Sequence, residues 1–245
     1  MQPDFFSAVL DCIMLADPAA KCERVTRLPG LLGRDSFERS NSPPARRIET
    51  PGRPDRPELV DPSLVPRRRL GSSSGRAALV HAIAHIEFNA INLALDAAYR
   101  FRGMPREYYE DWISVAVDEA RHFRMLRSRL LEMEHEYGDF AAHNGLWEMA
   151  VKTADSCMVR MALVPRVLEA RGLDVTPGML KFFRNAKDKQ AVDALEVIYA
   201  EEVHHVAYGS KWFHFLCGRE NLDPVGVFHD LVQRYFHGPL KPPFN

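Results

Sequence analysis

Two short segments decide the fold of this sequence: DEARH at residues 118–122 and EEVHH at residues 201–205. In the first segment Glu119 precedes His122 by three positions, and the second segment repeats this spacing. Side chains three residues apart lie on one face of an α-helix. A carboxylate and an imidazole on one face offer oxygen and nitrogen ligands that suit iron or manganese. The two segments therefore predict two helices that carry metal ligands.

The second segment allows two pairings, Glu202 with His205 or Glu201 with His204. Both pairs cannot point to one centre, because they lie on different faces of the helix. We prefer Glu202 with His205, since that face is the more apolar one. Its other members are Ile198, Val206 and Gly209.

A third acidic residue, Glu87, lies in the middle of an apolar helical stripe. Its neighbours one turn away include Ile83, Ala90 and Ile91. A buried carboxylate costs several kcal/mol unless it is paired or bound to a metal ion. A salt bridge to arginine would explain one such residue. It explains less well a buried glutamate that is accompanied by two Glu-x-x-His pairs on inward faces.

Apolar periodicity predicts a chain of helices, and no strand-length alternation is present. The long ones are expected at about 76–101, 105–136, 145–171 and 188–217, with a shorter helix from Pro177 to about Asn185. Glu87 and Glu119 are equidistant from Gly103, which precedes Pro105 in a turn signal. Two antiparallel helices that meet there would hold both glutamates at one height. The predicted fold class is all-α, as a four-helix bundle.

The third long helix should supply a further glutamate, and Glu169 is the candidate, with Asp155 in reserve. Pro165 lies one turn before Glu169 and would break or kink the helix locally. Gly172 is expected to end this helix, so that the segment 173–187 must lead back to the height of Glu202. An exposed terminal glutamate remains the alternative for Glu169.

The N-terminal region is predicted to differ from the bundle. Residues 3–17 form an amphipathic pattern, and residues 41–75 contain seven prolines, which favour extended chain. We interpret residues 41–75 as an extended arm that lies over the domain. The alternatives are a docking segment for a partner or RNA and a disordered linker. The expected domains are 1–75 (helix and arm), 76–218 (bundle) and 219–245 (C-terminal tail).

Composition excludes several classes of protein. The 245 residues carry a formal net charge of −1, so nothing draws the whole chain to nucleic acid or an anionic membrane. Uncharged stretches reach only about ten residues, short of a bilayer span. The four cysteines form no C-x-x-C pair, which argues against a zinc ribbon or a thioredoxin-like site. With no signal-peptide pattern at the N-terminus, a cytoplasmic location is predicted.

Di-iron carboxylate bundles take one glutamate from each of two helices and a Glu-x-x-His pair from each of the other two. This sequence resembles that ferritin-like superfamily. Nearly its full length resembles a bacterial ferritin-like family named as a domain of unknown function. The likeness lies in the arm PGRPDRPELVDPSLVPRRRLG, the helix HAIAHIEFNAINLALDAAYRF, DEARHF, MALVPRVLEARGLDVTPGM and EEVHHVAYGSKWF. The metal ligands that the resemblance implies are Glu87, Glu119, His122, Glu169, Glu202 and His205.

Six such ligands would hold two metal ions, with iron expected first and manganese or a mixed iron–manganese pair as alternatives. The expected function is that of an oxidoreductase that activates dioxygen or peroxide. A ferroxidase or other metal-handling protein, and a metal-stabilised interaction protein, are the alternatives. The expected partners are a small-molecule substrate and an electron donor, both unidentified. Binding to a membrane is not expected. Binding to nucleic acid is not favoured, although tRNA is not excluded as a partner. A homodimer is possible.

Overall fold

The computed structural model describes residues 4–32, 43–66, 68–237 and 242. It is helical almost throughout and confirms the all-α class. Among the described residues, β-type pairing is confined to an isolated parallel bridge between Leu59 and Ala142. The chain divides into two compact units, Met1–Val151 and Lys152–Asn245. The sequence-based domain limits at 75/76 and 218/219 stay a prediction.

The first unit begins with three short helices, α1 (Phe5–Met14), α2 (Pro18–Val25) and α3 (Pro29–Leu32). Asp4 caps α1 by accepting from the Ser7 amide, and Asp17 caps α2 by accepting from the Ala20 amide. Each cap satisfies an amide that the helix itself leaves unpaired. The single helix predicted over 3–17 therefore ends at Met14, and residue 3 lies outside the described residues.

A helical hairpin forms the centre of this unit, from α4 (Ser73–Arg100) and α5 (Arg106–Glu132). Gly103 stands in the turn with a φ of 74°, which glycine adopts without strain. Both helices match the predicted spans to within a few residues. By length and composition α4 could cross a membrane, but 72% of its most apolar window is buried inside the protein.

The proline-rich arm is extended apart from a short 3₁₀ helix, Pro62–Leu64, and it is hydrogen-bonded to other parts of the first unit. The Gly52 amide donates to the Ile13 carbonyl, and the Val60 amide donates to the Ala142 carbonyl, both at 2.9 Å. The Trp147 indole N–H donates to the Glu49 carbonyl at 3.0 Å. These bonds pair backbone groups of the arm that no long helix or sheet pairs. Residues 41, 42 and 67 of the predicted arm lie outside the described residues.

One buried lysine joins the arm to the N-terminal helices and the hairpin. The Nζ of Lys21 donates to the carbonyls of Ile13 and Gly52, each at 2.9 Å, and to the side-chain oxygen of Asn92. Lys21 is fully buried, and burial lowers its pKa to about 7. Three oxygen acceptors thus match the three N–H donors of an ammonium group.

Helix α6 (Gly145–Lys152) closes the first unit, and the second unit contains α7 (Cys157–Leu163), α8 (Ala170–Asn185), α9 (Lys189–Glu220) and α10 (Pro224–Tyr235). A π-helical segment, Val164–Glu169, joins α7 to α8. The predicted helix over 145–171 is therefore wrong as one element. Gly172 does not end a helix, and Pro177 lies inside α8. Helix α10 lies in the predicted C-terminal tail, of which 238–241 and 243–245 lie outside the described residues.

Candidate metal centre

The hairpin of the first unit brings Glu87 of α4 together with Glu119 and His122 of α5. The Nδ1 atom of His122 lies 3.2 Å from Oε2 of Glu87 and 3.3 Å from Oε2 of Glu119. Candidate ligand atoms from these three side chains all lie within 4.8 Å of one another. Glu119 and His122 are fully buried, and Glu87 is 3% exposed. Two carboxylates and an imidazole thus converge inside the protein.

Burial makes the charges of this cluster costly in the absence of a cation. Burial and the neighbouring charge of Glu119 raise the pKa of Glu87 well above its ordinary value. Burial lowers the pKa of His122, but its hydrogen bonds to Glu119 and Glu87 outweigh that effect and raise it to about 11. Both shifts favour the protonated forms of these side chains when no cation is bound. A metal ion could take the place of such a proton.

Aromatic side chains next in sequence to the candidate ligands pack against one another. Phe88 follows Glu87 in α4, Phe123 follows His122 in α5, and their ring centroids lie 5.3 Å apart. The ring of Tyr137 packs against Phe123 at 5.0 Å and against Phe88 at 5.5 Å. These three rings therefore form an aromatic cluster between the hairpin and the loop after α5.

Two histidines on α4, His81 and His85, are bound to the loop after α5 rather than to the cluster. The Gly138 amide donates to Nε2 of His81 at 2.9 Å. Nδ1 of His85 lies 3.0 Å from the Tyr137 hydroxyl, and Nε2 lies 3.0 Å from the His143 carbonyl. Burial lowers the pKa of each imidazole to about 4.

The second unit presents the other Glu-x-x-His pair on α9. Nδ1 of His205 lies 3.6 Å from Oε1 of Glu202, and the side chains are 1% and 13% exposed. His204 is exposed. Burial therefore favours Glu202 with His205 over Glu201 with His204, as the apolar stripe predicts.

Glu169 is the last residue of the π-helical segment, and this segment packs against α9 within the second unit. Glu169 is half-buried, whereas the reserve candidate Asp155 is exposed, at the break between α6 and α7. The structure therefore places Glu169, and not Asp155, on an element that packs against the Glu-x-x-His helix.

The chain matches one family model over residues 14–245, that of the family described as "Protein of unknown function (DUF455)". The chain belongs to the DUF455 family. This DUF455 chain is 47% identical over 189 residues to an uncharacterized protein of Haemophilus influenzae. The match covers 74% of the chain and 66% of that relative, slightly less than two thirds of its length. No solved structure matches the DUF455 chain significantly.

The buried glutamate and histidine cluster of this DUF455 protein could hold a metal ion. Its donor set of carboxylate oxygens and imidazole nitrogen suits iron, manganese or zinc better than a soft, thiolate-preferring metal. A divalent cation would neutralise Glu87 and Glu119 together, with His122 as a neutral ligand. The family match itself identifies neither a metal nor a reaction.

Sequence reasoning missed the residues that support this site from outside the long helices. Tyr137 fills the space beside Phe88 and Phe123, although nothing in its local sequence marks it as buried. Lys21 fixes α2 and the arm to α4 through Asn92. Its position in an apolar pattern with Cys22 and Val25 was the signal available.

Proposed function

We propose that this DUF455 protein is a dinuclear metal–carboxylate oxidoreductase of ferritin-like fold. Two metal ions, iron first and manganese or a mixed pair as alternatives, would bind through Glu87, Glu119, His122, Glu169, Glu202 and His205. The protein would use dioxygen or peroxide to oxidise a small organic substrate, with electrons from a separate donor. The substrate and the donor are not identified by this proposal.

One observation carries the proposal: Glu87, Glu119 and His122 converge at 3.2–3.3 Å in a fully buried position. When all three groups are ionised, two carboxylates beside a single imidazole leave one negative charge without compensation, and a buried uncompensated charge is costly. A cation removes that excess. The triad therefore fits a metal ion by the chemistry of its donors.

The residues of the second unit support the proposal that two metal ions bind. Glu202 and His205 repeat the spacing of Glu119 and His122, and both side chains are largely withdrawn from water. Glu169 stands on the neighbouring element, as Glu87 stands beside the first pair. Four carboxylates match the charge of two divalent cations, which is the ligand pattern of di-iron carboxylate bundles.

Two adjacent redox-active metal ions, when bound, supply two electrons to dioxygen or peroxide. The residues of the chain hold and tune the site. His122 lies within hydrogen-bond distance of Glu87 and Glu119, and His205 lies close to Glu202. The side chain of Glu202 is 13% exposed, more than those of Glu87, Glu119, His122 and His205. A small substrate would approach from that exposed edge.

The test is the metal content of protein produced with both iron and manganese supplied, measured by elemental mass spectrometry. We expect about two ions per wild-type chain and a clear loss in Glu119→Gln and in Glu202→Gln. Glu110→Gln is the matched control, because Glu110 lies on α5 but is exposed and pairs with Arg106. Metal-free wild-type protein that is folded and was never exposed to a chelator would refute the metal site.

Redox function has its own test. Protein loaded with ferrous iron under anaerobic conditions is expected to change its visible absorption when dioxygen or peroxide is added. A protein that binds two ions yet remains spectrally silent would refute the oxidoreductase and leave a metal-handling or metal-stabilised protein. Formation of iron-filled oligomers on oxidation would instead favour metal storage.

A further inference from the structure

The π-helical segment Val164–Glu169 begins beside a proline that requires it. Pro165 has no backbone N–H, so it cannot donate to the carbonyl one turn earlier, and its ring crowds that carbonyl. The widened π turn accommodates both effects without ending the helix, and α8 continues directly from Glu169. Single π turns of this kind are frequent at functional sites.

The ring of Pro165 is seated on Gly209 of α9. A Cβ atom placed on Gly209 would lie 2.3 Å from Cγ and 2.4 Å from Cβ of Pro165. No real side chain tolerates such distances, and the obstacle is a rigid ring close to the backbone. Gly209 therefore lets the π segment and α9 approach at this point, and any larger residue would push them apart.

This contact fixes the register between the two elements. Pro165 and Gly209 lie at equal sequence distances from Lys187, which stands in the turn between α8 and α9 with a φ of 56°. Glu169 and His205 lie at equal distances from the same residue. Glu169 lies one turn after Pro165, and His205 lies one turn before Gly209. Because the two elements are antiparallel, Glu169 therefore lies at the height of His205.

A second contact, made by Arg166, also holds the π segment against α9. The guanidinium of Arg166 lies over the ring of Phe213, one turn after Gly209, at 4.6 Å, and over the ring of Phe228 of α10 at 4.0 Å. Both contacts are within the range of cation–π attraction. The π segment is thus held at two successive levels of α9.

We propose that Pro165 and Gly209 are positioning residues, whose close contact sets the carboxylate of Glu169 beside His205 as a metal ligand. Neither residue would touch the metal. The inference rests on the proposed function for the role of Glu169, but the register itself is independent of any metal. It assigns a purpose to Pro165, which lies in the π segment, and to Gly209, which leaves space for the proline ring on α9.

The first experiment is a titration with Co²⁺ alone, followed by visible absorption and by elemental analysis after desalting. Wild-type protein is expected to bind about two equivalents. Gly209→Ala is expected to bind about one and so to reproduce Glu169→Ala. Gly218→Ala is the matched control, because Gly218 is in α9 and a Cβ there would meet nothing within 4 Å. It is expected to behave as wild type.

The outcomes separate this inference from the proposed function. If Gly209→Ala binds two equivalents with the wild-type spectrum, the positioning role is wrong and the metal site stands. If Gly209→Ala and Gly218→Ala lose metal alike, the effect is not one of register, and the inference is also overturned. Thermal unfolding of the metal-free variants checks that each retains a cooperative fold.

A second experiment needs no metal and decides the register if wild-type protein binds none. Glu169→Cys and His205→Cys are combined in a Cys157→Ser background, since Cys157 is the partly exposed native thiol. A short homobifunctional thiol reagent is expected to link the two introduced thiols, detected by peptide mass spectrometry. Adding Gly209→Ala should reduce the link to the background of a single-cysteine protein, whereas adding Gly218→Ala should not. Linking that Gly209→Ala leaves unchanged would overturn the inference.

Discussion

His122 and Glu87 are 35 residues apart in sequence, yet Nδ1 of the histidine lies 3.2 Å from Oε2 of the glutamate in a fully buried position. The hairpin formed by α4 and α5 enforces this proximity. Glu119 adds a second carboxylate to the same imidazole. A cluster so placed costs the fold stability unless something binds to it, and the first prediction follows from that cost.

Glu119→Gln is expected to have opposite effects with and without metal. In metal-free protein it removes one of two buried carboxylates and leaves His122 paired with Glu87, so stability should stay equal or rise by about 1–2 kcal/mol. Wild-type protein should gain about 2.7 kcal/mol when free metal exceeds its dissociation constant about a hundredfold. The variant should lose that gain. Urea unfolding with and without Mn²⁺ measures both effects.

Glu110→Gln is the control for this prediction, and it should keep the full gain on metal addition. A Glu119→Gln protein that is strongly destabilised without metal, or is stabilised by Mn²⁺ as much as wild type, would contradict the assignment of Glu119 as a ligand. The first result would indicate a structural role for the carboxylate instead.

Lys21→Met should destabilise the first unit by roughly 3 kcal/mol, because three buried oxygens then lose their donor. These are the carbonyls of Ile13 and Gly52 and the side chain of Asn92. Chemical denaturation at fixed pH measures the loss. Lys152→Met is the control, since Lys152 is exposed at the end of α6 and should change stability little.

The same lysine predicts a dependence of stability on pH. Burial lowers the pKa of Lys21 from 10.5 to about 7 in the folded protein. Between these values the unfolded chain binds a proton that the folded protein does not, so stability should rise as the pH increases from 7 towards 10.5. Lys21→Met should flatten this rise. An equally steep rise in the variant would assign it to other groups.

A second dependence of stability on pH is expected at acid pH, from His81. Burial lowers its pKa from 6.5 to about 4. As the pH falls from 6.5 to 4 the unfolded chain takes up the proton first, so stability is lost through this window, by up to about 3 kcal/mol for one such group. His81→Gln retains an acceptor for the Gly138 amide and should show a shallower loss. His214→Gln is the control for the substitution itself, because His214 is an exposed histidine.

Gly52→Ala should weaken the attachment of the arm. A Cβ on Gly52 would lie 2.2 Å from the Met14 carbonyl oxygen, and a backbone atom cannot move aside as a flexible side chain can. We expect a loss of at least about 2 kcal/mol in unfolding free energy, together with faster proteolysis of the arm. Gly71→Ala is the control, because a Cβ at Gly71 would meet nothing within 4 Å.

The part of the site on the α4–α5 hairpin was predictable, because a short turn between two helices leaves little freedom in how they pair. Once Gly103 is recognised as the turn, Glu87 and Glu119 must lie at one height, and the spacing to His122 places it on the same face. Local pattern and helix geometry suffice for this inference. The structure brings the three residues together as the sequence pattern predicts.

The third long helix was not predictable, because Pro165, Gly172 and Pro177 have ambiguous local meanings. Gly172 was expected to end a helix, yet the helix continues to Asn185 with Pro177 inside it. Packing against α9 outweighs the intrinsic cost of these residues. The π turn accommodates Pro165, but the contact of this proline with Gly209 joins residues that are far apart in sequence.

Residues such as Lys21 and Tyr137 escape sequence reasoning for a related reason. A polar side chain is buried only when distant parts of the chain supply its partners. Asn92, Gly52 and the aromatic rings of the hairpin do so here. No local pattern reveals those partners in advance.

The attachment of the arm and α1 to the hairpin also determines the order in which the first unit can fold. The apolar face of α1, with Phe5, Val9 and Ile13, is fully buried, and α1 packs against α4, which the ribosome delivers some sixty residues later. During synthesis this face must wait for its partner, exposed to water and to chaperones. We therefore expect the α4–α5 hairpin to form the folding nucleus, while the segments that emerge first complete the structure last.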